Sequence, residues 1–447
     1  MQISLDMNSK KPLYELIYEA LKTDILTGTL KIGEKLPSKR SFAEQFDVSL
    51  VTVANAYEQL IAEGYVRAEQ RSGYYVQYSG GVVELNPLTE PIYEEMPPDD
   101  ESAETIGVFP FSVWTRLMRR VILEKGTALL QPVQNGGAYE LRSAISGYLY
   151  RARGLYQPPE RIIIGSGAEY MYNLLIQLLG RDKRYAAENP GFPKLPKIYT
   201  LNDVNFELIS LDKYGVNVSE LLEKRVDIAH ISPAHHFPTG IVMPISRRLE
   251  LARWAMDGGK FIIEDEYDSE FRWSGKPLPA LFGQGAEGRI IYINTFSQTI
   301  APSVRISYMC LPEELYEQWQ QRLGFYACSV PVFEQFTLAK FISERYFERH
   351  LSRVKKHFRR VRELVIRLLE RFDGVEISES NAGLHFTVRI SEDSERIVSE
   401  CEQYGIKITP ISQYYVDNSL IPIEKNKLFV VNFASANEER LKSGLIK

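Results

Sequence analysis

PSKRSFAEQFDVSLVTVANAYEQLIAEGYVRAEQRSGYYV, residues 37–76, decides the fold of the N-terminal part of the chain. Ser38 stands where a helix cap belongs, just before Lys39, Arg40 and the segment ending in Phe46. After Asp47 and Val48, Ser49 caps the next helix, whose apolar positions are Val53, Ala56, Tyr57, Leu60 and Ile61 before Gly64. Two capped helices joined by so short a turn make a helix-turn-helix. Downstream, Tyr65 to Ala68 and Tyr74 to Tyr78 are β-rich stretches around a turn at Arg71, Ser72 and Gly73, which predicts a hairpin wing. Upstream, Leu13, Leu16, Ile17, Ala20, Leu21 and Ile25 recur at helical spacing, with Gly28 placed to end that helix.

Charge placement says what such a head touches. Lys35, Lys39 and Arg40 cluster at the start of the second helix, Ser49 and Thr52 open the third, and Arg67 and Arg71 lie on the wing beside Gly73. In a helix-turn-helix the first turn of the recognition helix meets base edges, while the preceding helix and the wing meet phosphates. The pattern predicts a DNA contact. A solvated protein–protein module with scattered charge is the alternative reading of the same residues.

Beyond the head, Gly80 to Glu104 holds eight acidic residues, four prolines and no Lys or Arg, a composition that resists helix and core alike. As a flexible coil, its ends lie roughly 25 to 30 Å apart. The expected organisation is a head at 11–78, a linker at 79–104 and a body at 105–447. Within the body, strands expected at Arg161 to Ile164, Phe261 to Ile263 and Arg289 to Ile293 alternate with helical segments. That is an α/β rhythm, with functional loops at the carboxyl ends of strands. In RIIIGSGAEYMYNLLIQLL, residues 161–179, a small-residue turn between strand and helix leaves backbone N–H groups open to a phosphate, although a plain tight turn reads equally well.

The head resembles, along its whole length, the winged helix-turn-helix of GntR-type transcriptional regulators. PLY, G-x-L-x-x-G-x-x-LPS-x-R, VS-x-x-TV-x-x-AY-x-x-L-x-x-EGY and the SG-containing wing occur in order. One departure is Leu50, where the family often has Arg after the VS pair, so a usual DNA contact is missing. Trp114, GGAYELRSAI, ENPGFP, ISPAHHFPTG, FIIEDEYDSEF and INTFSQTIAPSVRISYM in turn resemble the fold-type I aminotransferase domain of MocR-type regulators, a branch of that superfamily. The resemblance implies a multi-domain fold class: a small α+β winged head and a large α/β, aminotransferase-like body. It also implies operator DNA as a partner, a head-to-tail homodimer, and a body that senses pyridoxal phosphate (PLP) or a related effector such as an amino acid or a PLP adduct.

By that resemblance, Asp265 pairs with the pyridinium nitrogen and Tyr267 reaches the ring's phenolic oxygen. Arg305, Thr295, Ser297 and the turn at Gly167 and Ala168 hold the phosphate, and Phe192 lies over the ring. The Schiff-base lysine of the family motif TFSK is here Gln298. An amide nitrogen, its lone pair delocalised into the carbonyl, is neither a nucleophile toward an aldehyde nor a base, so PLP is expected to be held noncovalently at best, with no catalytic residue. Val430 stands where the family has an Arg for the ligand carboxylate, a loss of about 1.5 to 3 kcal/mol. His235 and His236 read as structural groups near the pocket wall. His230, His350, His357 and His385 have no metal-ligand spacing, and no metal is expected. Two rival readings remain: an active PLP aminotransferase with a DNA-binding head, disfavoured by the missing lysine, and a body retained only as a dimerisation scaffold.

Whole-chain composition is close to that of an average soluble globular chain, and its overall charge gives no sign of a nucleic-acid or membrane partner. The 447 residues allow two to four domains, with 44% hydrophobic and 25% charged residues and a net charge of only −5. No apolar run approaches the roughly 18 residues of a membrane span. The N-terminus lacks a secretory pattern, and the three cysteines, Cys310, Cys328 and Cys401, have neither disulfide nor zinc spacing, so the cytoplasm is the expected compartment.

Overall fold

The computed structural model describes residues 11–69, 72–77, 108–273, 279–283, 286, 288–378, 382–391, 393–416, 421–422 and 427–446. The expected linker, Arg71 and Tyr78 lie outside them. The chain divides into two compact units, Met1–Pro98 and Asp99–Lys447.

In the first unit, α1 (Leu13–Leu26) buries Ile17, Leu21 and Ile25 and passes through Thr27 to Gly28 at φ +76°, a backbone position glycine takes without strain. A short strand, β1 (Lys35–Leu36), precedes α2 (Lys39–Phe46) and α3 (Leu50–Ala62). The wing is β2 (Val66–Glu69) with β3 (Gly73–Val76). Its strands are therefore shifted by one or two residues from the sequence expectation. The head sheet also has a third, unforeseen member, because β1 pairs antiparallel with β3 through Lys35–Tyr75 and Leu36–Tyr74. A two-residue strand has no periodicity to read; only its partner defines it. Tyr57 ties the layers together, packing edge-on against Phe42 and Tyr74 and donating its hydroxyl to the Pro37 carbonyl at 3.0 Å.

The second unit opens with α4 (Phe111–Lys125) and α5 (Tyr139–Arg153). There follow β4 (Ile162–Gly165), α6 (Ala168–Leu179), β5 (Arg184–Asn189), α7 (Lys194–Leu201), β6 (Asn205–Asp212), β7 (Gly215–Val216) and α8 (Val218–Glu223). Next come β8 (Ile228–Ile231), α9 (Ile245–Gly258), β9 (Phe261–Glu266), β10 (Ile290–Thr295), β11 (Ser307–Cys310), α10 (Glu313–Arg322) and α11 (Val332–Ser343). Eight strands form one sheet in the order β4-β11-β10-β9-β8-β5-β6-β7. Strands β10, β9, β8, β5 and β6 are mutually parallel, whereas β11 runs antiparallel to both β10 and β4. Alternate residues serve opposite faces: Ile162, Ile164, Ile262, Ile290 and Tyr292 enter one core with α5 and α9, while Ile163, Ile263, Ile291 and Ile293 enter the other with α6. This two-sided burial explains why the strands read as unbroken apolar runs.

The chain ends in a smaller lobe. Here α12 (Tyr346–Leu369) leads to β12 (Val375–Ile377), β13 (His385–Ile390), α13 (Ser394–Glu402), β14 (Lys407–Pro410), β15 (Leu428–Asn432) and α14 (Glu438–Ile446). Its antiparallel sheet has the order β12-β13-β15-β14. Phe386, Val388, Phe429 and Val431 face the lobe's core with Val354, Phe358 and Val361 of α12. By alternation and cross-strand pairing, His385, Thr387 and Val430 share the opposite face. No described helix is long and apolar enough to cross a membrane.

Candidate functional site

Parallel strands deliver their following loops to one edge, and the body's candidate residues gather along it. Asp265 is the penultimate residue of β9. Its Oδ2 accepts a short hydrogen bond from the Tyr172 hydroxyl of α6 and lies 3.5 Å from His230 Nε2 on β8. His230 is itself held by the Tyr199 hydroxyl, 2.9 Å from Nδ1. Asp265 is thus a braced carboxylate, partly exposed, of the kind suited to a protonated ring nitrogen. Neither Tyr172 nor His230 was identifiable beforehand, since each meets Asp265 only through the sheet.

Tyr267 stands beside Asp265, its hydroxyl 3.3 Å from His235 Nδ1. At the end of β10, Thr295 donates to the Ser297 hydroxyl at 3.1 Å and accepts from the Ser297 N–H at 3.3 Å. Gln298 is half-buried, and its amide makes no hydrogen bond among the described residues. Gly167 caps α6 with φ +93°, and a Cβ there would come within 2.5 Å of the Arg305 guanidinium. A side chain at 167 would have to displace the Arg305 guanidinium, and the positive φ favours glycine there. Its Nη2 donates to Glu169 Oε2 at 3.0 Å, and Glu169 Oε1 takes Lys194 Nζ at 3.0 Å. An internal carboxylate thus engages the cation expected to hold a phosphate, right after Ala168. Phe192, on the loop after β5, is 38% exposed and has no ring partner among the described residues.

The pocket wall is polar and buried. Asp268, His235 and His385 are all buried, with one ligating atom from each lying within 4.8 Å of the others, a grouping their sequence spacing does not reveal. His235 Nδ1 is 2.9 Å from Asp268 Oδ2, and the His235 and His385 rings are 4.4 Å apart between centroids. His236 meets Thr239 Oγ1 at 2.8 Å and Glu188 Oε2 at 3.4 Å.

Burial pushes the Glu188 carboxyl up to about 8; the Ser232 N–H, donating at 3.0 Å, opposes that rise, and the Asp265 charge adds to it. An unfolded glutamate loses its proton near pH 4.5, so the folded state binds more protons between that point and about pH 8, and stability falls as pH rises through the window. Glu188→Gln removes this dependence. In urea titrations its stability relative to the wild type should grow by about 3 kcal/mol between pH 5 and pH 8. A constant difference would mean that Glu188 is already ionised at pH 5.

The head presents a second candidate surface. Arg40 and Lys35 are exposed, and Arg40 has no ion-pair partner among the described residues. Lys39 is 3.3 Å from Glu58 on α3, and Arg67 pairs with Glu69 at 2.8 Å. Gly73, at φ +131°, abuts Lys35, whose Cε would lie 2.8 Å from an added Cβ. Ser38 and Ser49 cap their helices as expected, accepting the Ser41 and Thr52 N–H groups, each at 3.1 Å. Ser49 and Thr52 also share a hydrogen bond at 2.7 Å.

Comparison with known proteins places both units. Residues 13–76 match the family of bacterial regulatory proteins, gntR family. Over 98% of the chain and 96% of its counterpart, the sequence is 34% identical to YdeL of Bacillus subtilis (strain 168), an uncharacterized HTH-type transcriptional regulator. It is 27% identical to the probable rhizopine catabolism regulatory protein MocR of Rhizobium meliloti, over 92% of this chain and 89% of that one. The fold is similar to that of an archaeal alanine:glyoxylate aminotransferase, with a TM-score of 0.65 at 21% identity, covering 77% of this chain and 87% of that one.

Proposed function

We propose, for a chain that belongs to the GntR-headed, aminotransferase-bodied transcriptional regulators of MocR type, that the head holds operator DNA and the body senses a molecule of the pyridoxal phosphate class without covalent attachment. Asp265 carries the reading. A carboxylate kept at a strand end and braced by Tyr172 and His230 is the group a pyridinium nitrogen needs, while Gln298 offers no amine. The residues present fit such a ligand. Asp265 would hold its ring nitrogen, Tyr267 its phenolic oxygen, and Thr295, Ser297, Gly167, Ala168 and Arg305 its phosphate once Glu169 yields.

When bound, PLP supplies an aldehyde electrophile and an electron-withdrawing ring. Gln298 neither condenses with that aldehyde nor moves a proton, so these residues bind and orient without turnover. Val430, apolar and on the same face as His385, offers an amino-acid carboxylate no partner. Regulation then requires that the ligand bind one DNA-binding state better than another. In the same reading the head spans 11–78, the linker 79–104 and the body 105–447. The body dimerises head to tail, with the exposed apolar side chains of Phe111, Leu123 and Leu130 in support. Lys35, Lys39, Arg40, Arg67 and Arg71 face DNA phosphates, and such a regulator works in the cytoplasm beside its operator.

Thermal unfolding with added PLP tests the pocket. At 100 times Kd the ligand should add about 2.7 kcal/mol to the body's stability and shift operator affinity. Glu169→Gln, which frees Arg305, should tighten PLP about tenfold and leave pyridoxal, which lacks the phosphate, unchanged. No shift in either protein would reduce the body to a scaffold.

A further inference from the structure

The first turn of α3 is the part of the head that a helix-turn-helix sets against base edges, and its two hydroxyls are hydrogen-bonded to each other and to the helix's own backbone. Ser49 Oγ takes the Thr52 N–H, and the Thr52 hydroxyl is turned onto Ser49. Val53, Ala56, Tyr57 and Leu60 point into the head's core. What remains outward at the start of the helix is apolar: Leu50 is 48% exposed and Val51 67% exposed, and neither joins the core cluster. One helical turn beyond Val51, exposed Asn55 has both its amide donors and its carbonyl unengaged among the described residues.

Two adjacent aliphatic side chains left in water at the tip of one helix serve no packing purpose. The cations around them indicate what covers them. Lys39 is tied to Glu58 on the same exposed helix face, Arg40 follows it in full exposure, and Lys35 stands on the neighbouring strand. That charge complements a polyanion rather than an apolar protein surface. On a duplex, the apolar feature a major groove offers is the 5-methyl group of thymine, which no other base carries.

We propose that Leu50 and Val51 are specificity-determining residues that read thymine 5-methyl groups in the major groove, with Asn55 reading an adjacent adenine edge. This proposal rests on the operator-binding reading of the head. Residues one apart on a helix point about 100° away from each other, so the two side chains meet methyls on neighbouring base steps rather than sharing one. Asn pairs bidentately with adenine N6 and N7, which makes the half-site rich in A·T at its centre.

The experiment uses the full chain and a randomised duplex pool. Enriched sites are resynthesised with deoxyuridine at each thymidine in turn, an exchange that removes the methyl and leaves base pairing intact, and Kd is read by fluorescence anisotropy. The expected result is a loss of about fourfold in affinity at one or two positions per half-site. That loss should vanish in a Leu50→Ala/Val51→Ala double variant, and Leu50→Arg should move preference toward guanine. Uniform binding of every deoxyuridine duplex, or an equal penalty in the double variant, overturns thymine readout while leaving DNA binding standing. If no duplex is enriched, the operator-binding reading itself fails.

Discussion

Gln298→Lys, mixed with PLP and freed of excess by gel filtration, should emerge with close to one cofactor per chain fixed irreversibly by borohydride, whereas the wild type keeps none after the same reduction. The difference is all or none because it turns on one atom's chemistry. A lysine amine can present a free lone pair to an aldehyde, whereas the amide nitrogen of Gln298 has delocalised its own. Apart from Glu169 releasing Arg305, the groups expected to hold the ligand are in place. Asp265 already has its supports, Thr295 and Ser297 already stand together, and the half-buried Gln298 amide has no partner to lose. Before reduction, the wild type with PLP should show the absorbance of a free aldehyde. A variant that fails to fix PLP would show that the position is lysine-like in sequence but not in reach, and the noncovalent reading would fall with it.

The second large effect concerns stability. Arg153, at the end of α5, holds Glu266 by two bonds of 2.7 and 2.6 Å and reaches Ser269 Oγ at 2.8 Å, with side chains only 4% and 0% exposed. Glu266 also accepts the Tyr292 hydroxyl at 3.0 Å. Two more acids are buried close by. Glu264 is pushed up to about 7, by burial first and then by the charge of Glu266, and burial raises Glu270 against the lowering pull of Arg153. Arg153→Met leaves a carboxylate buried among acids with its cation gone, which should cost about 3 to 5 kcal/mol. Set against a typical stability of about 5 to 15 kcal/mol, that is a large fraction. Because Glu266 follows Asp265 directly, PLP affinity should drop as well. Arg153→Met with Glu266→Leu should recover most of the loss in urea denaturation, since a matched apolar pair replaces a matched ionic one. A single variant as stable as the wild type would show that water or another cation reaches Glu266.

What the sequence disclosed follows from how local each cause is. The Ser38 and Ser49 caps were legible because a serine and the N–H it accepts lie three residues apart. The strand ending at Asp265 was legible because burial on both faces demands an apolar run. Glu169 was not legible as a partner of Arg305, which lies 136 positions away, nor was Tyr172 as the support of Asp265, 93 away. The same holds for His235, Asp268 and His385, drawn from three separate loops and strands. In the head, the Ser49 cap was legible, but the hydrogen bond between the Ser49 and Thr52 hydroxyls was not.

Strand β11 runs against its neighbours, and this has a consequence for how the pocket can vary. Parallel strands hand a pocket the residues that leave them; a reversed strand hands it the residues that enter. Thr295 and Ser307 face each other across β10 and β11, and the Phe296 N–H donates to the Ile306 carbonyl at 2.9 Å, so Gln298 and Arg305 belong to one loop closed at its base. The frame fixes the mouth of that loop, not its contents. An exchange within residues 297–305 alters what the pocket can bond to and what charge it can hold while the register of all eight strands stays as it is, so chemistry and architecture are separately adjustable at this point of the chain.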